Sequence, residues 1–240
     1  MPLTLDRQNA YRARYARLRP GWRPATAVYE GLIREALAHG GGRLLDLGCG
    51  RGGALEQLTD AGHLWPLGVD PDYASLAEHR LPGLPRAVAT AEALPLRAGA
   101  VDVVIAAWVL EHLPDPARTF REVGRVLRPG GAFVFVAPNR NSLIAWATRL
   151  LRPLQKVLVP RLYGRAGADT FPVAYRANTG RQIGALARQG GMRLEALHTI
   201  EDPTYLAFNE ALFWLSVQVA RLLPRAAGEH LVGVCRKEGG

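Results

Sequence analysis

The sequence predicts an α/β fold with a doubly wound, mostly parallel sheet, and two observations lead to this prediction. Short apolar stretches alternate five times with helical patterns up to residue 138. Such alternation requires parallel strands joined by right-handed helical crossovers. A tight glycine-rich loop also follows the first of these strands, in LLDLGCGRGG at residues 44–53. Glycine loops in this position bind nucleotide cofactors in many parallel sheets.

The elements of this core are assigned in order from periodicity and stop signals. A helix is predicted at 5–19, and the amphipathic stretch PATAVYEGLIREALAHGGG predicts another that ends at a glycine stop. Asp115 is expected to cap the helix DPARTFREVGRVL, with Pro116 in its first turn. The other predicted helices are GALEQLTDAG and YASLAEHR, and the predicted strands are RLLDLG, LWPLGVD, PRAVAT, the β-branched AVDVVIAAW and, after an RPGG turn, AFVFVAP.

The last third of the chain has a different character. An apolar and basic helical segment is predicted at 142–163, and a long apolar helix at 204–223. The helix TGRQIGALARQGG and the strands MRLEALHTIE and HLVGVCRK complete the prediction. No repeat or low-complexity linker interrupts the chain, so we expect one domain over 1–240. It would have N-terminal helices at 1–40, a binding core at 41–138 and lid helices with the last strands at 139–240.

Composition narrows the class of protein. The chain has 240 residues with 48% hydrophobic content and only two cysteines, which fits a single large domain in a reducing compartment. The N-terminus is polar and Arg-rich, and no stretch of about 18 uncharged apolar residues occurs. We therefore expect a cytoplasmic bacterial protein without a signal peptide or a transmembrane helix, with contact at the inner membrane surface as an open alternative.

The net charge of +9 is compatible with nucleic acid, an anionic membrane or an acidic substrate as partner. The arginines are scattered, however, and neither an aromatic-interleaved RNA-binding motif nor zinc-finger spacing is found. A nucleic-acid partner is therefore not predicted, and no metal site is predicted. A codon bias toward arginine would explain the same composition.

The glycine loop matches two patterns at once. Gly48, Gly50 and Gly52 form G-x-G-x-G, whereas Gly53 in third place completes the dinucleotide pattern G-x-G-x-x-G. Asp46 lies two residues earlier, where a carboxylate would repel a diphosphate and suit an ammonium or sulfonium group. Capping of the loop amides is the structural alternative for this carboxylate.

Asp70 ends the second strand in LGVDPD, 22 residues past Gly48. A carboxylate there can accept hydrogen bonds from both hydroxyls of a ribose, in NAD and in other adenosine cofactors alike. The alternative is a helix N-cap beside Pro71, although Asp72 is the better cap candidate because a helix follows it.

The segment AEALPLRAGAVDVVIAAWVLEHLPDPARTFREVGRVLRPGGAFVFVAP, together with LLDLGCGRG and GVDPD, resembles class I S-adenosylmethionine-dependent methyltransferases. The most similar subgroup is that of small-molecule and lipid-intermediate enzymes, which includes the ubiquinone/menaquinone methyltransferases. The resemblance implies a seven-stranded sheet with an antiparallel last strand, S-adenosylmethionine as cofactor and methyl transfer as the activity.

The resemblance also implies residue roles. Three glycines would let the backbone approach the methionine part of the cofactor, and Asp46 would lie near its amino end. Thr90 replaces an aspartate that reads the adenine in many relatives, and Tyr11 or Tyr15 of the first helix would close over the site. The full implied cofactor set is Asp46, Gly48, Gly50 and Gly52, then Asp70 for the ribose, Pro71, Ala91 and Glu92 around the adenine, and Ala107 with Trp108 at the methionine end.

The acceptor side is less defined. A hydroxyl acceptor needs a base, and His112 in EHL is the first candidate, with shaping of its loop as the alternative. Tyr175 is a candidate substrate contact, and Asn139, His198 and Asp202 are further polar candidates. The segments 142–163 and 204–223 would form a hydrophobic lid or touch an anionic bilayer and collect a lipid-linked substrate, or they would simply cover the sheet.

The predicted function is methyl transfer from S-adenosylmethionine to a small acceptor that is hydrophobic or lipid-linked. The FPVAYRANTG to YLAFN region is similar to bacterial methyltransferases of polysaccharide and lipid modification, which leaves quinone precursors, lipid-linked sugars and other small hydrophobic molecules open as acceptors. An NAD-dependent oxidoreductase and a non-catalytic, membrane-peripheral binding protein are the alternatives. A nucleic-acid methyltransferase is disfavoured because VAPN stands in place of an N/D-P-P-Y/F motif.

Overall fold

The computed structural model describes residues 3–58, 64–150 and 173–239. The helices in this part are α1 (Leu5–Leu18), α2 (Ala25–Gly40), α3 (Tyr73–Ala77), α4 (Pro116–Val126), α5 (Leu143–Leu150), α6 (Gly180–Gln189) and α7 (Glu210–Leu222). The strands are β1 (Arg43–Leu47), β2 (Trp65–Asp70), β3 (Arg86–Val88), β4 (Val101–Ala107), β5 (Leu127–Pro138), β6 (Met192–Ile200) and β7 (His230–Lys237).

These strands form one seven-stranded sheet in the order β3-β2-β1-β4-β5-β7-β6. The pairs around the centre are parallel, with Asp46 opposite Gly68 of β2 and Ile105 of β4. The sheet is mostly parallel with one antiparallel strand, which confirms the predicted fold class. Because β1, β2, β4 and β5 are parallel, the loops that follow them meet at one edge of the sheet, where such folds bind ligands.

The packing of α4 shows how the core positions this edge. Asp115 accepts the backbone N–H of Arg118 and Pro116 occupies the first turn, as predicted. Phe120 then meets Phe133 of β5 edge to face, with ring centroids 5.5 Å apart. Gly124 of α4 allows the end of α6 to approach closely, because a Cβ at this position would lie 1.9 Å from the carbonyl oxygen of Gly190.

Three local predictions are corrected. RPGG belongs to β5, where the pairing with β4 shifts register between Val101 and Val103. Within the described residues GALEQLTDAG forms a 3₁₀ turn at Leu55–Leu58. The helix predicted at 204–223 is two elements, because Asn209 caps α7 and a separate 3₁₀ turn precedes it at Pro203–Leu206. Of the segment 142–163, α5 is described and residues 151–163 lie outside the described part.

The chain divides into two compact units. The helical unit comprises Met1–Ala25, Pro138–Pro172 and Thr199–His230, and the sheet unit comprises Thr26–Ala137, Val173–His198 and Leu231–Gly240. The prediction of a single domain over 1–240 remains a prediction. None of the helices in the described part of the chain has the length and apolar character needed to cross a bilayer.

The helical unit has its own small core. Tyr15 of α1 is buried with Ala207, Phe213 and Val217, and Tyr11 stacks on Phe213 with ring centroids 4.7 Å apart. Tyr11 and Tyr15 therefore pack in this core, and neither lines the cavity that the glycine loop forms in the sheet unit.

Candidate functional site

The glycine loop after β1 depends on backbone conformations that other residues rarely adopt. Gly48 has φ +72° and Gly52 has φ +103°. The amides of Gly48 and Cys49 both donate to the carbonyl of Val69 in β2, at 2.7 and 3.2 Å. A Cβ on Gly48 would lie 2.5 Å from the Val109 side chain. The loop is thus folded tightly against its neighbours, and the backbone of its glycines is what it can present to a ligand.

Asp70 connects this loop to the turn after β2. Its Oδ2 accepts the backbone N–H of Gly50 at 2.9 Å, and its Oδ1 accepts the backbone N–H of Asp72 at 2.8 Å. Asp72 caps α3 by accepting the amides of Ala74 and Ser75, as predicted. Asp70 therefore holds the loop geometry, and each of its oxygens retains a lone pair for a further donor.

A cavity of about 500 Å³ opens beside the loop within the sheet unit. Its walls come from the start of α2, from β1 with the glycine loop, and from the ends of β4 and β5. Of the predicted cofactor residues, it brings together Asp46, Gly48, Gly52, Ala107 and Trp108. The complete lining is Thr26, Tyr29, Glu30, Asp46, Gly48, Cys49, Gly52, Gly53, Ala54, Gln57, Ala107, Trp108 and Val136.

Asp46 is the acidic group in the depth of this cavity. Its side chain is buried, and burial, with the nearby carboxylates of Asp70 and Glu56, raises its pKa to about 7. No hydrogen bond to its carboxylate occurs within the described residues, so loop capping does not account for it. A cation in the cavity would offset the desolvation and the like-charge repulsion, and would restore the ionised form.

Tyr29 of α2 is a cavity residue that the sequence interpretation missed. Only 3% of its surface is exposed, and in the described part of the chain its hydroxyl forms no hydrogen bond of good geometry, although the nearby Ala106 backbone N–H opposes the rise in its pKa. Burial and the carboxylate of Asp46 raise its pKa well above 10, so the phenol stays a donor. A buried donor without a partner costs free energy unless a ligand accepts its proton.

Two candidate catalytic residues, His112 and Tyr175, converge on the EHL loop. The backbone carbonyl of Glu111 accepts the amide of Ala174 at 2.7 Å and that of Tyr175 at 3.3 Å. Nε2 of His112 lies 3.9 Å from Oε1 of Glu111. The loop begins at Trp108, and both Trp108 and Tyr175 have positive φ, at 59° and 52°. Such strained non-glycine residues persist where surrounding contacts hold them, which is frequent at functional sites.

Glu111 was not among the predicted site residues, yet it is the most unusual group of this loop. Its side chain is buried, and within the described residues its Oε2 has no hydrogen-bond partner. Burial raises its pKa to about 7. No sequence pattern indicates this burial, because a Glu in a polar EHL loop is ordinarily solvated.

Glu92 and Ala91 lie on the loop after β3 and outside the cavity lining. Oε1 of Glu92 accepts the amide of Asp115 at 3.5 Å, and its carbonyl accepts Nε of Arg118 at 3.0 Å. The loop is thereby tied to the start of α4. Pro71 follows Asp70 in the neighbouring turn, so the four predicted residues of the nucleoside side occupy two adjacent loops.

The remaining polar candidates are engaged elsewhere or exposed. The amide nitrogen of Asn139 donates to the carbonyls of Ala226 and Gly228, at 2.9 and 2.7 Å. Asp202 is bound by the Arg12 guanidinium at 2.7 Å, and His198 lies exposed on β6. Nowhere in the described ranges do three or more His, Cys, Asp or Glu side chains come together as metal ligands would.

Comparison with known proteins identifies this class of site. Residues 45–135 match the methyltransferase domain family. A probable S-adenosylmethionine-dependent methyltransferase of Mycolicibacterium smegmatis is 32% identical over 177 residues, which cover 69% of this chain and 67% of that protein. A ubiquinone biosynthesis O-methyltransferase of Bordetella pertussis is 37% identical over 188 residues, covering 73% of this chain and 74% of the relative.

The chain belongs to the S-adenosylmethionine-dependent methyltransferases, and its fold is that of class I. Geranyl diphosphate C-methyltransferase from Streptomyces coelicolor, solved with Mg²⁺, geranyl diphosphate and S-adenosylhomocysteine, shares this fold. Its TM-score is 0.63 at 14% identity, over 97% of this chain and 82% of that one. The protein is therefore an enzyme that uses S-adenosylmethionine, and the oxidoreductase alternative has no support.

Proposed function

We propose that this enzyme transfers the methyl group of S-adenosylmethionine to a small hydrophobic or lipid-linked acceptor. The observation that carries the proposal is the cavity beside the glycine loop, where the buried Asp46 carboxylate and the Tyr29 hydroxyl, whose proton has no acceptor among the described residues, line the same walls. A carboxylate suits the α-ammonium of a methionine moiety, and a phenol donor suits its carboxylate. The donor set therefore fits the amino-acid end of the cofactor.

Asp46 would bind the ammonium group, and Tyr29 would donate its hydroxyl proton to a carboxylate oxygen. The first turn of α2, at Thr26, adds the positive end of a helix dipole on the same side as Tyr29. Glu30 also lines the cavity, which adds to the preference for a cationic ligand. The glycines Gly48, Gly50 and Gly52 would let the backbone approach this part of the cofactor.

The nucleoside part would occupy the two loops after β2 and β3. Asp70 would accept the ribose hydroxyls through its remaining lone pairs while keeping its bonds to Gly50 and Asp72. Pro71 would pack on the adenine, and Ala91 and Glu92 would border it. Because Thr90 lacks a carboxylate, the adenine amino group would be bound by a backbone group.

Bound S-adenosylmethionine supplies an electrophilic methyl group, so the chain's own residues have to orient the acceptor and exclude water. Ala107 and Trp108 lie where β4 ends, at the cavity wall that would border the methyl group. His112 is the proposed base for a hydroxyl acceptor, and Glu111 would stabilise its protonated form. Tyr175 is the proposed acceptor contact because its backbone is held on the same loop.

Two features support a hydrophobic acceptor. Trp108 remains 37% exposed at the cavity, which leaves an indole surface for an apolar partner. The name of one relative contains ubiquinone, and the name of one structure with the same fold contains geranyl diphosphate. Both molecules have large hydrophobic parts. A nucleic-acid acceptor is not proposed.

The test is a labelled-methyl assay with S-adenosylmethionine against separated lipid and aqueous extracts of the native host, followed by mass identification of the product. Label recovered in the lipid fraction supports the proposal. Label recovered only in polar, water-soluble products would contradict the hydrophobic acceptor. Cofactor binding without any labelled product would instead favour a non-catalytic binding protein.

A further inference from the structure

The positive charge of this protein is concentrated in one of its two units. Among the described residues, the helical unit carries ten Arg residues against five Asp and Glu residues, a net charge of +5. The larger described part of the sheet unit carries a net charge of only +2. The sheet unit, which holds the cofactor cavity, is close to neutral.

The same unit carries a helix that is apolar on two faces. Phe213 and Val217 of α7 are buried in the core of the unit. Leu215 and Leu222, seven residues apart, point to nearly the opposite side at 3.6 residues per turn and are 59% and 87% exposed. Trp214 is exposed between these faces. A globular helix normally places polar residues on its outer side.

Arginines surround this outer face. Arg221 and Arg225 flank Leu222 in sequence and are exposed, and within the described residues neither forms an ion pair. The Arg14 guanidinium lies 5.0 Å from the Trp214 ring centroid and also pairs with Glu210. Exposed Leu and Trp beside unpaired Arg form the pattern by which amphipathic helices lie in the head-group region of a bilayer.

We propose that the outer face of α7, which presents Trp214, Leu215 and Leu222, docks on an anionic lipid bilayer. Arg221 beside this face and Arg225 in the turn after the helix would contact the lipid phosphates. Charge complementarity selects this occupant, because the unit is strongly basic and the cytoplasmic leaflet is negative. Aliphatic insertion and Arg–phosphate contacts then act together. Docking is independent of methyl transfer, whereas delivery of an acceptor from the bilayer rests on the proposed function.

The experiment is flotation of the full-length protein with phosphatidylcholine vesicles, with and without phosphatidylglycerol. Binding is expected only to the anionic vesicles, and it should fall at high salt because screening shortens the electrostatic attraction. The double variant Arg221→Gln/Arg225→Gln should bind roughly 30-fold more weakly, since each basic residue near an anionic surface contributes about 1 kcal/mol. Leu215→Ser and Leu222→Ser should each weaken binding about tenfold.

The matched control is Arg181→Gln/Arg188→Gln on α6 of the sheet unit. Both of these arginines are exposed and the variant removes the same charge. It should float like the wild type, as should Trp65→Ser, which removes a side chain that is 74% exposed in the sheet unit. Unchanged affinity for S-adenosylhomocysteine in every variant, measured by calorimetry, shows that the sheet unit is intact.

Equal loss of binding in the α6 control would overturn the proposal, because overall charge alone would then explain the attraction. Absence of flotation with anionic vesicles would overturn it as well. A concentration-dependent dimer in sedimentation that Leu215→Ser abolishes would assign the face to a second copy of the chain. Each of these results leaves the methyltransferase assay unaffected, so failure of docking and failure of the proposed function are distinguishable.

Discussion

The two units use carboxylates in opposite ways. In the helical unit Asp202 is fully engaged, with Oδ1 accepting both the amide and the hydroxyl of Thr204 and Oδ2 accepting the Arg12 guanidinium. In the sheet unit Asp46 is as deeply buried but lacks such partners among the described residues. Burial alone therefore does not distinguish a structural acid from a functional one. The two kinds of acid differ in the number of hydrogen-bond donors that surround the carboxylate.

The largest expected effect concerns the structural acid. Asp202→Ala removes the cap of the 3₁₀ turn and leaves Arg12 without its partner, so it should lower the free energy of unfolding by about 2–3 kcal/mol. Denaturant titration measures this loss. Affinity for S-adenosylhomocysteine at a temperature where the variant is folded should remain that of the wild type. A selective loss of cofactor affinity with normal stability would remove the contrast between the two acids.

Asp70 combines both uses, and its removal should weaken cofactor binding by roughly 1–3 kcal/mol through lost charge-assisted hydrogen bonds. Calorimetric titration of Asp70→Ala with S-adenosylhomocysteine provides the measurement. Asp72→Ala, which removes only the α3 cap, is the control and should affect stability more than affinity. Unchanged affinity in Asp70→Ala would refute the ribose role.

The pH dependence of cofactor binding should report Asp46. In the ligand-free protein its pKa is about 7, so a cationic ligand must displace a proton at lower pH. Affinity for S-adenosylhomocysteine should therefore rise about tenfold from pH 6 to pH 8 and level off above about pH 8. Asp46→Asn should bind more weakly and show a flat profile in this range. A wild-type profile that falls with rising pH would contradict the assignment.

The raised pKa of Asp46 also affects the pH dependence of stability, in the direction opposite to its effect on cofactor affinity. Because the folded-state pKa of Asp46 is raised, its burial favours the folded protein only while the carboxyl is protonated. This contribution is present at acidic pH and is lost as pH rises through about 7. Bound cofactor should reverse the trend by supplying the positive charge.

The smallest expected effect is that of removing the Tyr29 hydroxyl. Tyr29→Phe should weaken S-adenosylhomocysteine binding about fivefold, near 1 kcal/mol, because one hydrogen bond to a charged oxygen is lost. Binding of 5′-methylthioadenosine, which lacks the amino-acid end, should be unchanged. Equal losses for both ligands would place Tyr29 away from the carboxylate, and no loss for either would leave the hydroxyl without a cofactor role.

Much of the sheet was predictable because its signals are local. The alternation of strands and helices indicates a parallel sheet, and Asp72 and Asp115 are caps that their immediate neighbours reveal. The break before α7 was also visible in principle, since Asp202 and Asn209 are both capping residues. It was missed because an apolar stretch of twenty residues resembles one helix when only its periodicity is considered.

Local sequence patterns predict the glycine loop and the acids of β1 and β2, and the resemblance carried by AEALPL and EHL…RPGG gives the cofactor class. These features lie close together in the chain, so their spacing carries the geometry. Only the tertiary structure decided which distant groups share a cavity or a surface. Tyr29 of α2 and Asp46 of β1 line the same cavity, and the described residues of the helical unit carry a net charge of +5 although they come from three separated segments. No local pattern encodes such contacts, since burial and electrostatic fields depend on what the fold brings near.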